Sequence, residues 1–270
     1  MTVRRLALIG LFIIAAAAVT GKYAEYFLQP AQAGWFGGSS KSLMVFAGTA
    51  SQPALDEAAA AYKKKTGIKI DISYAGSGTL LTQITQEHVG DLYIPGSDDY
   101  ATKAIKKGAI DPPSVRALAY LIPAILVAKN NPKGVTGLNS LAQAGLRVVI
   151  AKAGAACLGD VAEDILAKAG LTAKVHKNVV SYATTCEETL NDLLMGEADA
   201  IIGWDVYARQ HPKQVKLIPI DKKLARPRYI PAAVITWSKN KTAAAAFLAY
   251  LTGPSGRYCF KTNGYTLTAK

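Results

Sequence analysis

Apolar runs of strand length alternate with helix-patterned stretches from residue 42 almost to the C-terminus, and this alternation restricts the fold more than any other feature. Strands are expected at 42–47, 68–74 and 91–94, followed in turn by helices at 53–66, 79–88 and 98–107. After an apolar stretch at 120–129 the pattern restarts: strands at 147–151, 175–180 and 198–203, with helices at 158–169 and 186–195. A further strand at 230–237 and a helix at 241–252 complete the chain. Such βα alternation predicts an α/β fold with mostly parallel sheets flanked by helices. The runs at 120–129 and 230–237 are placed to carry the chain from one lobe to another and back. The expected architecture is therefore two similar lobes joined by two crossing strands, with lobe 1 built from 42–120 plus 230–270 and lobe 2 from 121–229.

Composition agrees with a packed protein. Half of the 270 residues are hydrophobic, which excludes intrinsic disorder, and 3 cysteines are too few for a disulfide-stapled miniature fold. Arg4 and Arg5 precede an uncharged apolar run at 6–19, and Ala31-Gln32-Ala33 ends the segment. A basic start, a short apolar core and a small-x-small triplet describe an export signal at 1–33, cleaved after Ala33 or retained as an N-terminal anchor. Residues 34–41, with Gly37-Gly38-Ser39-Ser40, read as a tether. The expected location is periplasmic or extracytoplasmic, with membrane contact only through the signal or anchor. The formal net charge is +12, but the basic residues are scattered. Runs such as Lys63-Lys64-Lys65 fall late in helical segments, where cations suit the dipole, so the charge reads as a solvated face rather than a nucleic-acid site.

The functional information lies between strand and helix. Four junctions are small, hydroxyl-bearing or Gly-rich: Gly48-Thr49-Ala50-Ser51, Gly76-Ser77-Gly78-Thr79, Gly154-Ala155-Ala156-Cys157 and Ala183-Thr184-Thr185-Cys186. In open α/β sheets ligands bind at the carboxyl ends of strands, where these loops lie. Helix starts offer unpaired N–H groups and a positive dipole end. Thr49, Ser51, Ser77 and Thr79 add hydroxyl donors. Each junction taken singly is also an ordinary helix cap, since Ser and Thr are preferred there. Together they describe neutral donors around a small ionised oxyanion, with no free metal cation.

Val45-Phe46-Ala47-Gly48-Thr49-Ala50-Ser51-Gln52-Pro53 resembles the first binding loop of periplasmic molybdate/tungstate-binding proteins of ABC importers. Tyr74-Ala75-Gly76-Ser77-Gly78-Thr79-Leu80 and Gly90-Asp91-Leu92-Tyr93-Ile94 continue the likeness, which covers nearly all of 42–268. The resemblance implies a two-lobed class II binding-protein fold that closes on a tetrahedral oxyanion and delivers it to a membrane permease driven by an ATPase. It also implies a monomer without cofactor or catalysis. Thr49 and Ser77 take the hydroxyl-donor positions of the first lobe. Leu158 and Cys186 fall where family members offer backbone N–H groups, and Trp204 stands in for the family's cleft tyrosine. The second jaw is thus Cys157, Leu158, Cys186 and Trp204.

Asp205 departs from this pattern, because a carboxylate beside a dianion repels it unless paired or turned away. Cys157 and Cys186, at both second-lobe loops, can form a disulfide, remain as inert thiols, or touch a thiophilic ligand. Cys259 is expected to pack as a small hydrophobe. His88, His176 and His211 lack metal-ligand spacing, and no nucleophile motif or dinucleotide fingerprint is present. Two other readings stay open: a different ligand (sulfate, a thiophilic oxyanion or an organic anion), and an exported enzyme or sensory lobe on the same fold.

Overall fold

The computed structural model describes residues 42–269. The expected signal or anchor at 1–33 and the tether at 34–41 lie outside the described residues. The first half-lobe runs β1 (Ser42–Gly48), α1 (Gln52–Thr66), β2 (Lys69–Ala75), α2 (Ser77–Glu87), β3 (Leu92–Ile94) and α3 (Asp98–Lys106). Strand β4 (Arg116–Leu121) is followed after one residue by β5 (Pro123–Ala128). The second lobe continues with β6 (Val148–Ala151), α4 (Cys157–Lys168), α5 (Thr172–His176), β7 (Val179–Ala183), α6 (Cys186–Leu194), β8 (Ala200–Trp204), α7 (Asp205–Gln210) and β9 (Val215–Pro219). The chain returns through β10 (Arg228–Val234) and ends in α8 (Lys241–Thr252) and α9 (Pro254–Thr262).

Two five-stranded sheets result, in the orders β2-β1-β3-β10-β4 and β7-β6-β8-β5-β9. In each, three strands pair in parallel, the fourth is antiparallel to them, and the fifth is antiparallel to the fourth. The sheets are therefore mixed, with four of five strands pointing one way. The reversed strand of each sheet is the one just delivered by a crossing, β10 in the first and β5 in the second. This exchange ties the lobes together, as the βα alternation and the two crossings predict.

The apolar stretch at 120–129 is two strands in two sheets, not one. Pro123 has no N–H for a ladder and disfavours helix before it, so the chain changes sheets at Ile122. Its neighbours pair on opposite sides: Leu121 with Arg228, and Pro123 with Trp204. The strand expected at 175–180 begins later, at Val179, because 172–176 form the short α5 and Val175 is buried under it. Helices α5, α7 and α9 and strand β9 were not expected from periodicity; α5 and α7 hold five and six residues, too few to repeat a helical pattern.

Helix α1 shows how the local code works. Pro53 sits in its first turn, Ala54, Leu55, Ala58 and Tyr62 form the buried stripe, and Lys63, Lys64 and Lys65 occupy the last turn. Gly67 ends it in the left-handed region at φ 76°, its N–H donating to the Lys63 carbonyl at 2.8 Å. A buried carboxylate, Asp91, fixes β3 to its surroundings. It accepts from Met44 N–H at 2.9 Å and from the Ser238 hydroxyl at 2.6 Å, so its charge is met by oriented dipoles. Cys259 is buried on α9, a helix outside the expected set.

Candidate functional site

All four junctions do start helices, and they start them where the two lobes meet. Only one behaves as an ordinary cap: Thr185 accepts from Glu188 N–H at 3.0 Å. No side chain caps the starts of α1, α2 or α4. The hydroxyls there are used otherwise, and each has a different fate.

Thr49 bridges the lobes, its Oγ1 accepting from Glu187 N–H at the start of α6 at 3.2 Å. Ser77 is buried; its Oγ accepts from Gly96 N–H at 3.1 Å, which leaves its own proton for the site. Tyr93 holds this turn by donating to the Ser77 carbonyl at 2.7 Å. Ser51 is fully buried but turned inward, donating to the Gly48 carbonyl at 2.9 Å, so it shapes the loop and is not aimed at a guest. Thr79 is exposed, and only its N–H reaches the lobe interface. The structure thus brings the Thr49 and Ser77 hydroxyls to the interface and sets the Ser51 and Thr79 hydroxyls apart from it.

The glycines of the second junction serve closure. The N–H groups of Gly78 and Thr79 both donate to the Ala155 carbonyl of lobe 2, at 2.7 and 3.3 Å. The expectation that the start of α2 offers free amides to an anion is corrected for these two groups: the opposite lobe takes them. A Cβ on Gly78 would lie 1.8 Å from the Gly154 carbonyl oxygen, and one on Gly76 2.4 Å from that of Ala155. Neither glycine has an unusual φ; close approach of two backbones is what excludes a side chain.

At the centre of the interface lie Cys157 and Cys186, at the starts of α4 and α6, both buried and both free thiols. Each is the leading influence on the other's ionisation. The Cys186 thiol is held below the usual range by the Cys157 side chain, with help from the Trp204 indole and Leu158 N–H, against the effect of burial. The same Cys186 interaction, with burial, pushes Cys157 well above it, while Ser77 and Ser97 pull the other way.

Around the thiols stand four buried polar atoms with no well-formed hydrogen bond: Ser97 Oγ, Tyr100 OH, Trp204 Nε1 and Tyr207 OH. Ser97 borders Cys157, and Trp204 borders Cys186. The two tyrosines lie close enough to both sulfurs to feel their charge. Ser97 and Tyr100 come from lobe 1, Trp204 and Tyr207 from lobe 2. Leaving a polar group buried and unpaired costs about 1–3 kcal/mol, so four in one place single this cluster out as the candidate site. Ser97 escaped the sequence reading although Gly96-Ser97, between β3 and α3, repeats the Gly-hydroxyl pattern of the other junctions. It is the first-turn flank of α3, yet its side chain caps nothing.

Asp205 does not face this cluster as an unpaired charge. Its Oδ1 accepts from Ile122 N–H at 2.8 Å and its Oδ2 pairs with Arg209 at 2.8 Å. Glu187 borders the site, and burial pushes its carboxyl up, favouring its neutral form. The rim is closed by ions: Lys103 of α3 pairs with Asp160 of α4, and Arg228 reaches Asp99 at 3.2 Å and Asp164 at 3.9 Å. Among the described residues no group of three or more His, Cys, Asp or Glu could hold a metal ion.

A protein-family model for bacterial extracellular solute-binding proteins matches residues 43–266. A putative binding protein of Haemophilus influenzae is 25% identical over 230 residues, covering 85% of this chain and 93% of its own length. The molybdate-binding protein ModA of Escherichia coli is 27% identical over 236 residues, covering 83% of this chain and 89% of its own. Among solved structures, the periplasmic molybdate-binding protein of Azotobacter vinelandii shares the fold with a TM-score of 0.72 at 21% identity, over 84% of this chain and 99% of that one. The family match takes in both sheets and both sides of the donor cluster, and the chain belongs to the bacterial extracellular solute-binding protein family.

Proposed function

We propose that the protein captures a small tetrahedral oxyanion, molybdate or tungstate, between its lobes and delivers it to the permease of an ABC importer. The observation that carries this reading is the set of buried donors that make no well-formed hydrogen bond, Ser97, Tyr100, Trp204 and Tyr207, supplied by both lobes around the starts of α4 and α6. The Ser77 hydroxyl joins them. These are neutral groups that donate hydrogen bonds, and an ionised oxyanion consists of acceptors.

The energetics suffice without a lysine or arginine in the cradle. Hydrogen bonds to a charged group contribute about 1.5–3 kcal/mol each, and a helix start adds about 0.3–1 kcal/mol. Five such bonds, less the cost of association, reach the roughly 8–12 kcal/mol of micromolar to nanomolar binding. Because the donors belong to different lobes, the closed form makes contacts that an open form lacks, so the ligand draws the lobes together. The named specificities of the E. coli and A. vinelandii proteins support molybdate as the first ligand to test.

Calorimetry with molybdate, tungstate, sulfate and phosphate tests this. Molybdate or tungstate binds at micromolar affinity or better and sulfate at least tenfold more weakly. Absence of heat with all four rejects the oxyanion reading; preference for sulfate rejects the ligand assignment alone.

A further inference from the structure

We infer that Arg209 and Gln210, at the far end of α7, are positioning residues that clasp lobe 2 onto the C-terminal turn of lobe 1 and so set how slowly a captured anion leaves. This inference rests on the oxyanion reading above and adds a release step to it.

Helix α7 serves two purposes. Trp204 immediately precedes it and Tyr207 lies one turn on; both are buried, and both belong to the donor cluster. Asp205 and Arg209, four residues apart, share another side of the helix. Asp205 anchors the near end to the crossing between the sheets. Its N–H donates to the Ile122 carbonyl and its Oδ1 accepts from the Ile122 N–H, each at 2.8 Å. Its Oδ2 pairs with Arg209 Nη2 at 2.8 Å. At the far end, Arg209 Nε donates to the Gly264 carbonyl, and Gln210 Nε2 donates to the Asn263 carbonyl at 3.1 Å.

The turn they hold is fixed within lobe 1. Asn263 Nδ2 donates to Glu57 of α1 at 2.6 Å and to the Cys259 carbonyl of α9 at 2.8 Å. The buried Tyr265 donates to the Ala50 carbonyl at 2.6 Å, next to Thr49 in the first binding loop. Gly264 takes φ 84°, in the left-handed region, and a Cβ there would stand 3.3 Å from Arg209 Cβ, so glycine lets α7 approach the turn. Beside the clasp lies a cavity of about 420 Å³, lined from lobe 1 by Pro53 and Thr262 and from lobe 2 by Glu187 and His211. Packing is open at this edge, so hydrogen bonds carry the contact, one of them from a charged donor. Opening about Ile122 displaces the far end of α7 more than its anchored end, because displacement grows with distance from the pivot. The clasp therefore breaks in the step that frees the guest. An interaction made only in the closed form slows release and leaves encounter with the open form unchanged.

The test uses the full chain with molybdate as probe. Calorimetry gives the affinity, and stopped-flow tryptophan fluorescence gives the association and release rates, with Trp204 in the donor cluster as reporter. Arg209→Met keeps the side chain's length to the Nε position but has no donor. Arg209→Gln puts an N–H donor back at that position while lacking the group that pairs with Asp205. Arg209→Met and Gln210→Ala are each expected to release molybdate about tenfold faster, with association within about twofold of wild type. Arg209→Gln is expected to recover most of the slow release. Unchanged release in both Arg209→Met and Gln210→Ala, or slower association in place of faster release, overturns the clasp and leaves the oxyanion reading standing. So does an Arg209→Gln variant as impaired as Arg209→Met, since Arg209 then acts through Asp205 alone. Should Arg209→Met fail to fold, Gln210→Ala decides by itself. If the wild type gives no heat with molybdate, tungstate or sulfate, the oxyanion reading itself falls and this inference with it.

Discussion

The Gly78 N–H, in the first turn of α2, donates to the carbonyl of Ala155 in the opposite lobe at 2.7 Å. The helix start is capped by another lobe's backbone, and the bond exists only when the molecule is shut. Gly78→Ala puts a methyl 1.8 Å from the Gly154 oxygen, a backbone atom that cannot rotate away. Overpacking of this kind costs about 1–3 kcal/mol, charged here to closure and not to the fold of either lobe. The variant is expected to keep its melting temperature in the absence of ligand within a few degrees, lose roughly 10–100-fold in oxyanion affinity, and stay expanded in solution scattering when ligand is added.

Removing the Ser97 hydroxyl separates a ligand donor from a structural one. It makes no well-formed hydrogen bond in the fold, so Ser97→Ala is expected to leave thermal stability unchanged or slightly raised while weakening oxyanion binding by about 1.5–3 kcal/mol. Thr79→Ala, at an exposed position, is the control and should bind as wild type. Calorimetry that finds the order reversed would put the cradle elsewhere.

Asp205 grips the single residue between the sheets. Its N–H donates to the Ile122 carbonyl and its carboxylate accepts from the Ile122 N–H, both at 2.8 Å. Asp205→Ala leaves that amide unmet and frees Arg209, with an expected loss of about 1–3 kcal/mol in chemical denaturation. Asp205→Asn retains an acceptor and should recover part of it.

The rim pair Lys103–Asp160 gives closure a pH dependence. Burial raises the Asp160 carboxyl, but Lys103, the Gly154 N–H and Tyr100 outweigh it and hold the group below its ordinary value. A lowered carboxyl adds stability to the form that lowers it at every pH above the ordinary value of about 3.9; that contribution disappears as pH falls through the lowered value. The partners are part-exposed, which limits the effect to about 0–1 kcal/mol. Ligand affinity is therefore expected to be flat in this respect from pH 7 to about 5 and to weaken below about 4. Asp160→Asn should show the weaker value already at neutral pH.

The sequence carried the architecture because strand and helix periodicity, and the chemistry of the turns between them, are written over short stretches. The start of α1, with Pro53 in its first turn and Gly67 beyond its last, is legible residue by residue. So are the four junctions, since a helix start after a strand is a local event. Short elements such as α7 are not, because six residues hold too little of a period. The cradle was legible in its loops but not in its members: Ser51 and Thr79 carry the same hydroxyl as Ser77 and Ser97.

What the sequence determined by itself is the α/β order, the two crossings, and the placing of hydroxyls, glycines and two cysteines at strand ends. What only the tertiary structure decided is which of those groups still lack a partner once the lobes meet. Ser51 spends its proton on its own loop, Gly78 gives its amide to Ala155, and Asp205 is neutralised by Arg209, whereas Ser97, Trp204 and Tyr207 make no well-formed hydrogen bond. The reason is physical: a donor's availability depends on what approaches it from the other lobe, far away in the chain, and no local pattern encodes that approach.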